Sequence, residues 1–363
     1  MSDNEFETMN RFTFWRISVF FIVFIPCSIH AQWTCESLIN DAEQAYEGGL
    51  YDSVITNVER GLKECHFSKQ DKQRALELLL KTQIDKENPE EKDKVVVRLL
   101  KVNPNYKLIN PQSGTSFNLA VQRYSAKPLL SFGLGGGFNF PLTHIQTVYT
   151  ILEGADYSRN YSPKISFQGS LHLEAELLKY LSVSFEPGIS EVAYSRKIVG
   201  ENNWNLLFTE TQTNTDWMGF IKLNYPLNEF KVSAEMGYCY TSIRRSTADV
   251  DLRYEAFNSI TQQNDPYQIS ANKIDLMQDS LRTRGMNSIV FGLGGSYRIN
   301  NFILFMDAKY FYSKNNLVER SNRFRSKLLS FDYYYIDNDF DMNRVQFQVG
   351  VSYVFLYNIK KGK

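Results

Sequence analysis

Over the second two-thirds of the chain, apolar and polar residues alternate with a period of two. In the first such segment Leu130, Phe132 and Leu134 are separated by Ser131 and Gly133. Alternation of this kind places successive side chains on opposite faces of a β-strand. Eight strands are predicted in this way, at residues 130–140, 165–176, 181–190, 216–225, 230–241, 288–298, 302–313 and 345–355.

The joins between these strands are alternately short and long. The short joins are 177–180, 225–229 and 298–301, and the long ones are 141–163, 196–214, 244–287 and 314–342. A soluble β-sandwich also alternates in polarity, but strict short–long joins are typical of transmembrane barrels. Residues 128–357 are therefore predicted to form an eight-stranded antiparallel transmembrane β-barrel.

Aromatic residues also fall near the two ends of the predicted strands, where membrane barrels carry interfacial girdles. A sandwich has no reason to band its aromatics at two levels. The predicted girdle at the short-join end is Tyr225, Phe230, Tyr297, Phe302, Tyr353 and Phe355, and at the long-join end it is Tyr238, Tyr240, Tyr310 and Tyr312.

Residues 33–126 have helical periodicity instead. Helices are predicted at 36–47, 52–64 and 71–84, and Pro89 opens a fourth. Because a short link makes the first two helices antiparallel, Cys35 and Cys65 fall at neighbouring helix ends. A disulfide between them is expected, and the alternative is two unpaired thiols. The fold class is thus α+β multidomain.

The first 31 residues have the pattern of a signal peptide. Arg11 and Arg16 flank a short apolar core at 14–26, and a cleavage site before Gln32 fits the small Ala31. Export would permit the disulfide. Residues 358–363 are expected to form a tail after the last strand.

Residues 128–357 resemble the small outer-membrane β-barrel family that includes OmpX-like, OmpA-like and PorT-like proteins. The resemblance implies the outer membrane of a gram-negative cell, with the helical domain and the tail in the periplasm. Ala42, Tyr46, Gly49 and Tyr51 also resemble a tetratricopeptide pattern, although the unit spacing is nearer 39 than 34 residues. Such modules bind protein segments, and a folded spacer is the alternative.

Charged residues at inward positions of the strands are of both signs, so we expect them to pair and fill the lumen, with an open ion pathway as the alternative. His172 and Cys239 also point inward. The predicted lumen network is Glu174, Glu176, Glu186, Lys222, Lys231, Glu235, Arg298, Asp307 and Lys309.

Little in the chain suggests chemistry. Lys+Arg and Asp+Glu are both 40, which gives no basic excess for nucleic acid. The glycine runs at 133–137 and 292–295 lack the other residues of nucleotide-binding loops. His144 with Asp156 and Ser158 is a weak triad, and the acidic segment 332–341 is expected to be a solvated loop. No enzyme activity, cofactor or metal is predicted.

The predicted function is therefore that of a non-enzymatic barrel in contact with outer-membrane lipid. Its helical domain would bind a periplasmic or outer-membrane protein partner, as an accessory subunit of a secretion or assembly complex. The alternatives are an adhesin or receptor that acts through long external loops, such as 244–287 with Arg282 and Arg284, and a narrow channel.

Overall fold

The computed structural model describes residues 29–106, 115–149, 161–200, 204–260 and 262–362. The predicted signal peptide lies outside this part of the chain, except for its last three residues. The described residues divide into two compact units, one up to Lys127 together with Ile359–Lys363, and one at Pro128–Asn358. No helix in the described ranges is long and apolar enough to cross a lipid bilayer.

The first unit is helical. Its third helix begins after Ser68, whose hydroxyl accepts a hydrogen bond from the Asp71 amide at 3.1 Å. Its fourth begins at Pro89 behind the Asn88 cap. Leu79, Val96 and Leu99 belong to its core. The described helices are α1 Ile29–Glu47, α2 Tyr51–Glu64, α3 Lys69–Asp85, α4 Pro89–Val102 and α5 Thr115–Gln122.

The second unit is an antiparallel sheet. Its strands are β1 Tyr124–Thr147, β2 Ser162–Lys164, β3 Ser166–Leu178, β4 Leu181–Val199, β5 Asn205–Leu227, β6 Phe230–Asn258, β7 Gln263–Asp275, β8 Gly285–Ile299, β9 Phe302–Tyr312 and β10 Asp339–Lys361.

Eight of these strands close into a barrel. Neighbours pair in the order β1, β3, β4, β5, β6, β8, β9 and β10, and β10 pairs with β1 to close the ring. The two remaining strands, β2 and β7, pair with β4 and β6 outside the ring. Six of the eight predicted strand segments lie within ring strands, and the other two, 165–176 and 302–313, exceed β3 and β9 by one residue each. Closure leaves the ring without an unpaired edge.

The predicted long joins are only partly loops. Two of them, 196–214 and 244–287, are largely occupied by the extended halves of β4, β5 and β6 and by β7. The period-two pattern did not predict these strand extensions, because the apolar side chains change from the outer to the inner face of the strand where the extensions begin. We define the distal halves of these strands as the parts farther from the short turns than Glu191 in β4, Trp217 in β5 and Tyr240 in β6.

The distal halves enclose a second apolar core. Phe208 stacks on Tyr335 with ring centroids 4.1 Å apart, and Leu329 joins the same cluster. Tyr335 and Leu329 belong to the segment between β9 and β10, which contains a π-helical turn at Leu328–Asp332. We call residues 313–338 the cap, since they pack inside the distal halves.

The expectation of a solvated loop at 332–341 is wrong. Asp337, Asp339 and Asp341 are all buried. Asp337 pairs with Arg282 at 2.7 Å, and Asp339 pairs with Arg323. Arginines distant in sequence supply the countercharges, so the sequence pattern alone suggested exposure.

The chain end does not extend away as a simple tail. Strand β10 continues to Lys361, and Ile359 packs against the core of the helical unit. Lys361 forms an ion pair with Asp93 of α4, and the Gly362 amide donates to the Arg123 carbonyl. Residues 359–362 thus belong to the helical unit.

Candidate functional site

The outer wall of the barrel carries a continuous band of exposed apolar side chains. Each ring strand contributes to it with every second residue, as Phe167, Ile221 and Met306 do. Phe167 has 70% of its surface exposed and Met306 60%. Exposed apolar surface of this extent is far beyond what soluble monomers tolerate.

The band has defined limits along the strands. At the distal side of β4, the outward position after Ile189 is Glu191, and on β5 the next four outward positions beyond Trp217 are threonines. At the other end, the strands meet at the short turns before Leu181, Phe230 and Phe302. The apolar part of each strand is about ten residues long, which matches the span of a bilayer.

All ten predicted girdle residues are exposed on the outer wall. Strand register brings the short-turn set into contact, since Phe230 lies opposite Tyr297 and Phe302 opposite Tyr353. On the distal side Ile289 lies opposite both Tyr238 and Tyr312, so these tyrosines share one level. The aromatics therefore mark both edges of the apolar band.

Inside the barrel, Glu186 is the centre of a buried charge network. Lys222 Nζ lies 3.2 Å from its Oε1, and Lys309 contacts its other oxygen. Lys222 also lies 3.1 Å from Glu235. All four side chains are almost fully buried, so each charge is held by its partners rather than by water.

His172 joins this centre to a second group nearer the short turns. Its two ring nitrogens lie 3.1 Å from Glu174 and 3.1 Å from Glu186, and its ring stacks on Phe305. Glu174 then contacts Lys231 at 3.5 Å, and Lys231 pairs with Glu176 at 2.8 Å.

Of the nine predicted lumen charges, the structure brings eight together with His172. Asp307 completes the set, with its carboxylate 3.8 Å from Lys309 Nζ. Arg298 lies elsewhere. It is at the short turn, where it donates to the Asn300 carbonyl at 3.0 Å and stands over the Tyr357 ring. Its place at the end of the strand puts it outside the network.

A second buried pair lies deeper in the barrel and includes a residue that was not predicted. Arg344 Nη1 lies 2.9 Å from Asp216 and its guanidinium lies over the Phe311 ring. The free thiol of Cys239 contacts both charged groups. Gln346 and Gln348 are inward positions of the last predicted strand, and the same alternation continued two residues back would have predicted that Arg344 points inward.

The lumen is filled by these side chains. The network leaves a cavity of about 20 Å³ lined by Ser131, Lys231, Asp307 and Ser352 among others. That is room for roughly one water molecule. Glycine at position 292 allows this packing, because a Cβ there would lie 2.5 Å from Glu235 Oε1.

The distal halves contain a third buried ion-pair site. Arg282 bridges Glu210 at 2.6 Å and Asp337 at 2.7 Å, and all three are buried. The sequence grouped Arg282 with the residues of an external binding loop, and that expectation is wrong. Burial raises the pKa of the neighbouring Tyr161 to about 12, so its neutral phenol lies beside the guanidinium of Arg196, which is 5.5 Å from the ring centre.

The helical unit contains the predicted disulfide. Cys35 and Cys65 are bonded with their Cα atoms 5.8 Å apart, and they link α1 to the residue after α2. Most of the unit's surface is polar, and it carries ion pairs such as Arg98 with Glu59 at 2.5 Å. Among the residues of the unit whose side chains the structure describes, Leu50 and Leu119 are the large apolar ones that are exposed.

No feature of a catalytic or metal centre emerges in the described ranges. His144 is exposed on β1, while Asp156 and Ser158 lie outside the described residues. No group of three potential metal ligands is present among the residues that the structure describes.

No family model and no curated protein matches the chain. Solved structures that match are small outer-membrane barrels. OprG of Pseudomonas aeruginosa is 10% identical and has a TM-score of 0.31, covering 62% of this chain and 96% of its own. Neisserial surface protein A is 11% identical with a TM-score of 0.26, covering 64% and 99%.

A third match is Ail of Yersinia pestis, 11% identical with a TM-score of 0.25, which covers 62% of this chain and 99% of its own. Similarity at this level is low, and the barrel assignment rests on the chain's own strand pairing. The tetratricopeptide resemblance has no support from these matches.

Proposed function

We propose that the chain is an outer-membrane barrel protein that anchors a periplasmic helical interaction module. The observation that carries the membrane placement is the apolar band of the closed barrel, bounded by aromatic residues at both edges. Exposed Phe167 and Met306 would be costly in water and are favourable against lipid tails. A closed barrel also satisfies its own backbone hydrogen bonds, as a bilayer requires.

The strand arrangement supports a periplasmic position for the helical unit. Leu130 lies opposite Ala175 beside the short turn before Leu181, and Tyr353 lies opposite Phe302 at another short turn. Both ends of the barrel chain are therefore at the short-turn side. Short turns face the periplasm in outer-membrane barrels, so the helical unit would lie there.

A filled lumen favours anchoring over transport. The charge network around Glu186 and the Arg344–Asp216 pair both cross the interior. We infer a non-enzymatic role, in which the helical unit binds a protein partner of an outer-membrane secretion or assembly complex. Because its described surface is polar, with Leu50 and Leu119 as exceptions, the contact should be mainly polar and weakened by salt.

Crosslinking and pull-down from whole cells would test this proposal. The full chain is compared with a version lacking residues 36–124 and with a Leu50→Ser/Leu119→Ser variant, all checked for an intact barrel. Partners lost with the deletion and recovered less in high salt would support the interaction module. Capture of the same partners by the deletion version would move the function to the barrel.

One observation favours an adhesin as a second candidate. On one side of the cap Phe324, Leu328, Phe331 and Tyr334 are exposed, and on its other side the cap packs into the core that contains Leu206. Leu206 lies eleven residues beyond Trp217 on β5, which is about 36 Å along the strand at ~3.3 Å per residue. The lipid that covers the band would not reach this cluster.

The adhesin hypothesis predicts that Phe324→Ser/Phe331→Ser reduces attachment of expressing cells to one another and to a solid surface. Phe257→Ser, which changes an equally exposed phenylalanine on the β6–β7 hairpin, is the matched control. Unchanged sedimentation and attachment of the double variant would exclude a role for this cluster in adhesion.

A further inference from the structure

The buried charge network inside the barrel contains more negative than positive groups. Its carboxylates are Glu174, Glu176, Glu186, Glu235 and Asp307. Its basic side chains are Lys222, Lys231, Lys309 and His172. Even with His172 protonated, four positive charges face five negative ones among the described residues of the network. A buried charge is stable only when it is paired, so the network requires a further positive group.

Asp307 is the most weakly paired acid of the network. Its nearest cation is Lys309 Nζ at 3.8 Å, and this lysine is in closer contact with Glu186. No hydrogen-bond donor reaches Asp307 Oδ2, although the residue is only 7% exposed. Glycine at position 294 keeps the space beside the carboxylate open, because a Cβ there would clash with Asp307 Oδ1. The missing positive charge therefore belongs beside Asp307.

The cavity of about 20 Å³ in the lumen lies beside this carboxylate. Asp307 lines the cavity together with Asn224 and Ser352. Asn224 Oδ1 and Ser352 Oγ are buried and, like Asp307 Oδ2, have no hydrogen-bond partner among the described residues. The cavity thus brings together one negative and two neutral oxygens that can accept from, or coordinate, a small positive ligand.

Two lysines also line the cavity, but both are already paired. Lys222 Nζ lies 3.1 Å from Glu235 and 3.2 Å from Glu186. Lys231 Nζ lies 2.8 Å from Glu176. Their charges are therefore counted against these carboxylates and do not neutralise the acid beside the cavity.

A water molecule or a proton would each meet only part of the requirement. Water fits a cavity of this size, but it is neutral and leaves the charge of Asp307 without a counterpart. A proton on Asp307 removes the charge, but it occupies no space and leaves the oxygens of Asn224 and Ser352 unpaired. A small cation in the cavity satisfies both the charge and the oxygens.

We propose that the cavity binds one monovalent cation of the size of Na⁺ against Asp307 Oδ2, Asn224 Oδ1 and Ser352 Oγ. Hard cations take oxygen ligands, and one free carboxylate with neutral oxygens suits a single charge. The described ranges contain no group of three His, Cys, Asp or Glu side chains of the kind that holds a divalent metal. Access is from the short-turn end, where the side chains of Lys231 and Glu176 are 21% and 25% exposed.

The purified full chain in zwitterionic micelles provides the test. Equilibrium dialysis measures the uptake of radioactive Na⁺ at constant ionic strength. Choline chloride is the balancing salt, because choline is too large for the cavity. We expect saturable binding of one ion per chain. Asp307→Asn should weaken this binding at least about tenfold, since it removes the charge that faces the ion.

Two serine variants form a matched pair for the neutral ligands. Ser352→Ala removes an oxygen from the cavity and should weaken Na⁺ binding several-fold. Ser170→Ala changes another buried serine of the lumen, which donates to Gln348 at 3.2 Å and does not line the cavity. Its Na⁺ binding should equal that of the original chain. Equal loss in both serine variants, or no saturable uptake by the original chain, would overturn the proposal.

Urea unfolding of the original chain keeps the test independent of any variant's folding. Bound Na⁺ should raise the unfolding midpoint in NaCl above that in choline chloride at the same concentration. Equal midpoints in the two salts would overturn the proposal, and a dependence on pH in their place would assign the missing charge to a proton. Either result leaves the proposed role of the helical unit untouched, because the cavity lies inside the barrel.

Discussion

The two halves of the long strands β4, β5 and β6 have opposite polarity. Near the short turns, β5 points Ile221 outward and Lys222 inward, whereas in its distal half Thr213 is outward and Phe208 inward. Strand β5 keeps β4 and β6 as its neighbours in both halves, with one register shift against β6 between Thr213 and Asn214. Under the proposed membrane placement the surroundings differ, because lipid would cover the outer wall of one half and water that of the other.

The contrast explains why one barrel has two kinds of interior. In the band the interior is an ion-pair network centred on Glu186, since apolar residues are used on the outer wall. In the distal halves the cap fills the interior, and Phe208, Val250 and Leu329 form a conventional apolar core. Apolar packing therefore contributes most in the distal interior, which also holds the Arg282 ion pairs, whereas the charge network dominates the interior of the band.

The largest expected effect is on the band interior. Glu186→Ala would leave Lys309 and Lys222 with one carboxylate partner fewer in a buried site. Removing one partner of a buried pair costs about 3–5 kcal/mol. Urea unfolding in micelles measures it, and Lys94→Ala at the exposed Glu91 pair of the helical unit should leave stability almost unchanged. Equal effects would show that the network is not buried in solution.

Phe208→Ala should affect the distal half alone. The ring stacks on Tyr335 within an apolar core, and truncation of a buried phenylalanine costs roughly 3 kcal/mol or more. We expect faster hydrogen exchange and proteolysis of the cap, with the band strands still protected. Loss of protection in both halves together would mean that they unfold as one unit.

A matched pair of arginine substitutions tests the outer walls. Met306→Arg lies in the middle of the band and should destabilise the inserted barrel by about 2–4 kcal/mol. Leu207→Arg makes the same kind of change at an exposed position of the distal half and should cost less than about 0.5 kcal/mol. Folding titrations in vesicles compare them, and similar values would refute the lipid–water division.

The smallest effect is a pH dependence confined to the distal half. Because burial raises the pKa of Tyr161 to about 12, its neutral phenol stabilises the fold fully below about pH 10. That contribution falls as pH rises from about 10 to 12. Absorbance at 295 nm should show one late-titrating phenolate fewer in Tyr161→Phe than in the original chain, in which Tyr46 also has a pKa raised to about 12. Titration near pH 10 would place Tyr161 in water.

Sequence reasoning succeeded where one periodicity extends over a whole element. The alternation around Leu130 and Phe132 identified the ring strands, and inward parity found Glu186 and Lys309. It failed where the apolar face changes sides within a strand, as between Ile221 and Phe208. A strand whose apolar side chains face outward in one half and inward in the other does not fit a single alternation. Its second half was therefore interpreted as a loop.

Local sequence patterns were enough to predict the strand positions, the outward apolar band, the helices of the first unit and the cysteine pair at their ends. Which charges meet could be seen only in the folded barrel. Arg282 reaches Glu210 and Asp337 across 72 and 55 residues. Arg298 lies at a turn although its parity is inward. Ion pairing depends on distances across the barrel, and these arise only when the ring closes.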